Sequence, residues 1–313
     1  MKALCVDLGG SHATCALVED RNIIHAETIE SEGTRGLAPL LPLLSDALRG
    51  ILNAAALNAS ECAGLALSFC GLADHSKGKV LSTNDKYDDA PGLDLERWCR
   101  DLLGLPFQIE NDARMALLGE WYSGTARGFQ DVVMITLGTG IGGAAMIEGR
   151  LLRGKHSQAG CLGGHLPVNF NGRRCTCGGI GCPEAEASSW SLPGVCRDTQ
   201  GFESSTLQGD NPVSFEKLFR HAGAGDPVAI AVRDRCLAIW SAAVVQLIHA
   251  YDPEIVVLGG GIMKSASAIL PVLQAHADRY AWTPWGKVVL RNAELGNQAA
   301  LLGAIPLLQG LAG

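Results

Sequence analysis

The sequence predicts an α/β protein built from two related domains. Three observations carry that prediction. Short apolar runs repeatedly end in glycine turns, and glycine is abundant at 39 of 313 residues. The first strand–turn–strand unit recurs near the middle of the chain. Helical stretches separate the runs, and 313 residues suffice for two domains at ~150 residues each.

The elements follow in order. Ala3 to Leu8 is an apolar run with Asp7 near its end, followed by Gly9-Gly10, which reads as a buried strand and a tight turn. Ala13 to Val18 is the return strand. Pro39 to Asn58 spaces its Leu and Ala as a helix does, and Gly64 to Phe69 is a further strand ending at Gly71. Asp94 to Leu103 is amphipathic and stops at Gly104. Pro106 to Ile109 delivers Glu110-Asn111-Asp112, after which Ala113 to Trp121 reads as helix. Asp131 to Leu137, Gly138-Thr139-Gly140 and Gly142 to Ile147 then repeat the opening sequence of strand, polar glycine turn and strand. Asp226 to Tyr251 is a long helix, Glu254 to Leu258 a strand running into Gly259-Gly260-Gly261, and Ala299 to Leu308 a terminal helix. Residues 160–212 are rich in loops. The expected division is a first domain over 1–118, completed by the C-terminal helix at about 299–313, and a second over 119–298 that carries a cysteine-rich loop at 165–184. Two such domains are expected to face one another across a cleft, where two glycine turns can hold a polyphosphate from both sides.

Composition narrows the function. Apolar residues make up 47% and charged residues 18%, the balance of a globular chain, and the formal charge of −7 argues against a nucleic-acid partner. No apolar stretch approaches ~18 uncharged residues, and the N-terminus has neither the charged head nor the apolar length of a signal peptide, so the expectation is a cytoplasmic protein with no membrane partner. Of eleven cysteines, Cys5, Cys15, Cys62, Cys70, Cys99, Cys196 and Cys236 are scattered in apolar surroundings and read as reduced, buried, small hydrophobes.

Four constellations carry chemistry. Asp7-Leu8-Gly9-Gly10-Ser11 sets a carboxylate, exposed backbone N–H groups and a hydroxyl at a strand end, which suits phosphate oxygens and Mg²⁺. Gly138-Thr139-Gly140 and the glycines at 259–261 are two further turns of this kind. Residues 138–143 fit G-x-G-x-x-G, but the motif must open a helix and here a strand follows. Gly149 to Lys155 is a near miss to a P-loop, with His156 where the Mg²⁺-binding hydroxyl belongs. In Glu110-Asn111-Asp112 the aspartate can accept a proton from a substrate hydroxyl attacking a γ-phosphate, and Asn111 can bond a neighbouring hydroxyl. The same pair is also favoured as a helix cap, and the two roles are compatible. Finally, His165, Cys175, Cys177 and Cys182 form a Cys₃His set suited to a closed, tetrahedral structural zinc site, the rival reading being a disulfide or free thiols.

Together these motifs resemble the ROK family (repressor, open reading frame, kinase). The resemblance rests on Asp7 to Ser11, Glu110 to Asp112, Leu137 to Gly143, Ala159-Gly160 leading to Gly164-His165, Cys175 to Glu184, and Val257 to Gly261, in order over nearly the whole chain. It implies an actin/hexokinase-like fold of two ribonuclease-H-like domains, and phosphorylation of a hexose or amino sugar by MgATP, at the 6-hydroxyl by family default. By similarity Asp112 is the base, and Asn111, His165 and Glu184 contact sugar hydroxyls, with His165 also a zinc ligand. Asp7, Gly9, Gly10, Ser11 and the turn Gly138-Thr139-Gly140 hold phosphates and Mg²⁺, while Gly260 and Gly261 approach adenosine. A homodimer is expected.

The chain departs from the family pattern in two places. The family usually has Ala-Gly-Glu-x-Gly-His, whereas here Cys161 replaces a sugar-contacting glutamate and one extra glycine precedes His165. The family's Pro-Asn before the sugar loop is Thr83-Asn84, so Asn84 is the corresponding sugar contact. Losing a carboxylate partner costs a given hydroxyl ~1–3 kcal/mol, which points to a substrate that lacks that hydroxyl, carries an acyl or apolar group there, or binds in another pose. The rival readings are a catalytically weak sugar-binding protein and a DNA-binding repressor of the same family. The repressors carry an added helix-turn-helix before the first strand, which is not expected here because that strand begins at residue 3 and the charge is acidic.

Overall fold

A computed structural model describes residues 1–31, 36–83 and 86–311. The chain forms two compact units: residues 1–129, 148–161 and 297–313, and residues 130–147 and 162–296.

The first unit is built on strands β1 (Lys2–Leu8), β2 (His12–Glu19), β3 (Asn22–Glu30), β4 (Leu65–Phe69) and β7 (Phe107–Asn111), in the order β3-β2-β1-β4-β7. A small hairpin, β5 (Leu72–Asp74) with β6 (Lys79–Ser82), lies between β4 and β7 in the chain. β1 pairs antiparallel with β2 and parallel with β4, and β4 pairs parallel with β7. Central parallel strands are covered on both faces, which is why β1 and β4 are apolar apart from Lys2, Asp7 and Ser68. Helix Leu41–Ala54 buries Leu44, Ala47, Leu48, Ile51 and Leu52, spaced three and four apart, in the core cluster with Leu4, Val6 and Leu8. Helix Asp112–Tyr122 packs closely on the C-terminal segment: a Cβ at Gly119 would overlap the Ala299 carbonyl, and one at Gly303 would overlap that of Met115.

That C-terminal segment differs from expectation. Instead of one helix over 299–308 there are two, Ala299–Leu302 and Ala304–Leu308. Pro306 has no N–H to offer the Leu302 carbonyl, so the ladder breaks there. The elements not anticipated from the sequence include β3, helix Phe215–Gly223 and helix Ala266–Tyr280.

In the second unit, β8 (Val132–Leu137) and β9 (Ile141–Ile147) form an antiparallel hairpin. The two-residue strand β10 (Arg150–Leu151) follows in the chain. β11 (Ile255–Gly259) pairs parallel with both β8 and β12 (Val289–Asn292). The run β9-β8-β11-β12 thus repeats β2-β1-β4-β7: one hairpin, then parallel neighbours. Helix Pro227–Tyr251 buries Trp240, whose indole N–H donates to the Ala187 carbonyl at 3.0 Å. The loop-rich stretch contains short helices at Pro183–Ala187 and Leu192–Arg197. Among the described residues no helix is long and apolar enough to cross a membrane.

Candidate functional site

Parallel strands that start level also finish level, and both units use this. In the first, Asp7 lies opposite Ser68, and Ser68 opposite Glu110. The carboxyl ends of β1, β4 and β7 therefore deliver Asp7, Ser68 and the Glu110-Asn111-Asp112 segment to one edge, the position where open α/β sheets bind ligands. Ser68 Oγ donates to Asp7 Oδ1 at 2.6 Å. Loss of solvation raises the Asp7 pKa in spite of that bond. The Asp112 side chain is exposed, yet the surrounding protein strips much of its solvation. That loss, followed by the Asp7 charge, pushes its carboxyl up to about 6, against the pull of the Ala113 N–H and the Asn111 amide.

The Asx cap falls on Asn111. Its Oδ1 accepts from the N–H groups of Ala113 (3.1 Å) and Arg114 (3.3 Å) at the start of helix Asp112–Tyr122. Its Nδ2 donates to the Gly71 carbonyl (3.1 Å) and to Asp112 Oδ1 (2.8 Å), so Asn111 orients the aspartate. The Gly9-Gly10-Ser11 turn is closed by Gly9 N–H to the His12 carbonyl at 2.9 Å, and the Tyr87 hydroxyl donates to the Gly9 carbonyl at 2.9 Å. Lys86 lies directly over Gly10, where any Cβ would strike its ammonium. Sequence reasoning missed this cation, because no pattern links positions 10 and 86. Asn84 lies outside the described residues.

In the second unit, Thr136 on β8 lies opposite Gly259 on β11, so the turns at 138–140 and 259–261 share one edge. Gly260 has φ +91° and sits against Leu137, with whose carbonyl a Cβ would overlap, so the position requires glycine. Gly138 N–H donates to the Gly140 carbonyl at 3.0 Å, and the outward carbonyls of Gly138 and Thr139 accept from Ser189 (3.0 Å) and Trp190 (3.1 Å). Glu184 is buried, and its Oε2 accepts from Ile141 N–H at 3.0 Å; a Cβ at Gly140 would come within 2.6 Å of that oxygen. The extra glycine has a packing reason: a Cβ at Gly164 would overlap the Ile141 carbonyl of β9, and Gly163 sits against Gly143 and Leu247.

His165, Cys175, Cys177 and Cys182 converge, with one ligand atom of each lying within 4.8 Å of all the others. Cys177 Sγ is 3.7 Å from Cys182 Sγ, and Cys175 Sγ is 3.6 Å from His165 Nδ1. A tetrahedral ion bonded to sulfur at ~2.3 Å spaces its ligands by ~3.7 Å, so the donor set fits a zinc ion in both type and spacing. Glycines shape the loop around it. Gly178 and Gly181 have φ +88° and +71°, and a Cβ at Gly179 would stand 3.3 Å from Cys182 Sγ. All eleven cysteines are free thiols, and of the seven scattered ones all but Cys70 are buried.

Comparison with known proteins agrees with these features. The sequence pattern of the ROK family matches residues 3–310. The glucokinase of Thermotoga maritima is 29% identical over 99% of this chain and 98% of its own length. The N-acetylmannosamine kinase of Citrobacter koseri is 30% identical over 99% of both chains. The crystal structure of a ROK family glucokinase from Streptomyces griseus in complex with glucose and AMPPNP superposes with a TM-score of 0.82, at 25% identity, over 99% of this chain and 100% of that one.

Proposed function

The chain belongs to the ROK family, with its actin/hexokinase-like fold, and on that premise we propose that it is an ATP-dependent sugar kinase in which Asp112 is the general base. The observation that carries the proposal is the position of Asp112 directly after β7, near Asp7 of β1, where loss of solvation first and the Asp7 charge second push the Asp112 carboxyl up to about 6. A base poised near neutral pH takes a proton efficiently while remaining ionised at pH 7. As the hydroxyl oxygen of a hexose or amino sugar, the 6-hydroxyl by family default, attacks the γ-phosphorus of ATP, Asp112 takes its proton and ADP leaves.

The supporting roles follow the resemblance. Asn111 fixes the rotamer of Asp112 through its 2.8 Å bond and, by similarity, also contacts a sugar hydroxyl, as do His165, Glu184 and Asn84. The turns Gly9-Gly10-Ser11 and Gly138-Thr139-Gly140 bind phosphate oxygens through their remaining N–H groups and hydroxyls, the N–H groups of Gly9 and Gly138 closing the turns themselves, and Gly260-Gly261 allows close approach of adenosine. Asp7, a partly buried carboxylate at the end of β1, is suited to hold Mg²⁺, which when bound would neutralise phosphate charge. His165, Cys175, Cys177 and Cys182 would hold zinc, which orders a loop otherwise short of regular structure. A cytoplasmic homodimer is the expected state.

The test is ADP release with hexoses, ketoses and N-acyl amino sugars as acceptors. Turnover on at least one sugar, abolished in Asp112→Asn while ATP still binds, is the expected result. Near wild-type turnover of Asp112→Asn would sink the assignment. Cys161 favours a second reading, a sugar-binding protein with weak catalysis; sugar binding without turnover on the whole panel would select it.

A further inference from the structure

The loop 153–161 carries Cys161 and has almost no structure of its own. It contains only turns and bends. Ser157 holds φ +58°, a conformation disfavoured for any residue with a Cβ, and Gly154 and Gly160 are also left-handed. Such a segment keeps one shape only if the surroundings impose it.

What imposes it is a buried ion network in the first unit. Glu110 is wholly buried at the end of β7. Its Oε1 accepts from Asn111 N–H at 2.9 Å and Arg114 Nη1 at 3.1 Å, and its Oε2 from Arg153 Nε at 2.7 Å. Arg114 is also wholly buried, in the first turn of the helix that begins at Asp112. Its Nη2 donates to the carbonyls of Ser157 (3.1 Å) and Ala159 (2.7 Å). One planar guanidinium thus grips a strand end with one nitrogen and the loop with the other. Cys161 completes the arrangement, because its thiol donates to the Ser157 carbonyl at 3.7 Å and that of Gln158 at 3.4 Å. Arg114 and Cys161 therefore share one carbonyl, and Glu110 and Arg114 stand two residues before and two residues after Asp112.

We propose that Arg114 is a positioning residue: acting through Glu110 and the carbonyls of Ser157 and Ala159, it fixes loop 153–161 and Cys161 against the segment that carries Asp112, and so sets sugar affinity. The proposal rests on the kinase reading above for its link to sugar. A structural ion pair alone would affect stability and leave the sugar KM untouched. A positioning role splits the kinetic constants, because the bonds of Arg114 and Cys161 run to Glu110 and to the loop carbonyls of Ser157, Gln158 and Ala159.

The experiment uses the whole chain. Arg114→Lys keeps the charge but cannot serve Glu110 and two carbonyls at once. Measured well below its Tm, it should raise the KM for the preferred sugar at least tenfold and leave the KM for ATP within twofold. If a lone change prevents folding, the pair Glu110→Gln with Arg114→Met removes the two wholly buried charges together, which buried pairs tolerate better than a single deletion, leaves only the partly exposed Arg153 facing an amide oxygen, and should show the same split. A folded variant with wild-type sugar KM would overturn the proposal. If the wild-type chain phosphorylates no sugar, the kinase reading falls, and amide hydrogen exchange still decides the positioning role. Exchange over residues 154–161 should be at least tenfold faster in Arg114→Lys with helix 112–122 unchanged, and equal exchange in the loop would refute it.

Discussion

The Glu184 carboxylate accepts the Ile141 N–H at 3.0 Å and so braces the turn Gly138-Thr139-Gly140 from beneath. Glu184 stands two residues after Cys182, at the start of helix Pro183–Ala187. The cysteine loop and the glycine turn are therefore joined by one hydrogen bond within the second unit.

The first prediction concerns that bond. Glu184→Ala leaves a buried N–H without its partner, at a cost of about 1–3 kcal/mol, and frees the turn to move. The KM for ATP should rise several-fold together with the sugar KM. A change in sugar KM alone would limit Glu184 to the sugar.

The second concerns pH. Asp112 works as a base only when ionised, and its pKa is pushed up to about 6, so sugar kcat/KM should fall tenfold per pH unit below about 6. Asp7→Asn removes the like charge that raises Asp112, and the acid limb of any residual activity should move to lower pH. Saturating Mg²⁺ should shift the wild-type limb in the same direction. A pH profile flat from 7 to 5 would remove Asp112 from the role of base.

The third concerns metal. Elemental analysis of purified protein should find about one zinc per chain. Cys177→Ser should lose most of it, with a lower Tm and weaker sugar binding, since His165 is proposed to serve both. Unchanged sugar affinity in the metal-free variant would break that coupling.

The fourth concerns stability. Asp226 caps helix Pro227–Tyr251 through Val228 (3.0 Å) and Ala229 (2.9 Å), and also holds Ser205 and Thr206. Burial works against its charge, but these N–H and hydroxyl donors hold its pKa well below the usual range. Asp226→Ala should cost about 2–3 kcal/mol in denaturant unfolding at pH 7. Because the folded pKa is depressed, this contribution is present above the unfolded value of about 3.9 and fades as pH falls below it. Wild type and variant should therefore converge in acid.

Much of this protein was legible in one dimension. Asp7 and Asp112 were conspicuous because each ends an apolar run, and a carboxylate at a strand end beside glycine or a cap residue is a local pattern. The four metal-ligand candidates were conspicuous because their residue types are unusual and three of them fall within eight positions. β3 was not legible, since its exposed face reads as polar and only the hairpin with β2 makes it a strand. The break before Ala304 was missed because helix propensity hid the effect of Pro306.

Local order, by itself, determined the α/β class, the succession of strands and glycine turns, and membership of the family, since each rests on residue types at short spacing. Only the tertiary structure decided which distant residues support them. Arg114 reaches Ser157 and Ala159, Glu184 reaches Ile141, and Lys86 lies over Gly10 because parallel strands end level and gather loops from remote parts of the chain. A buried arginine and a buried glutamate look, in a sequence, like any surface charge. Their partners are fixed by where the chain returns, and no short-range pattern records that.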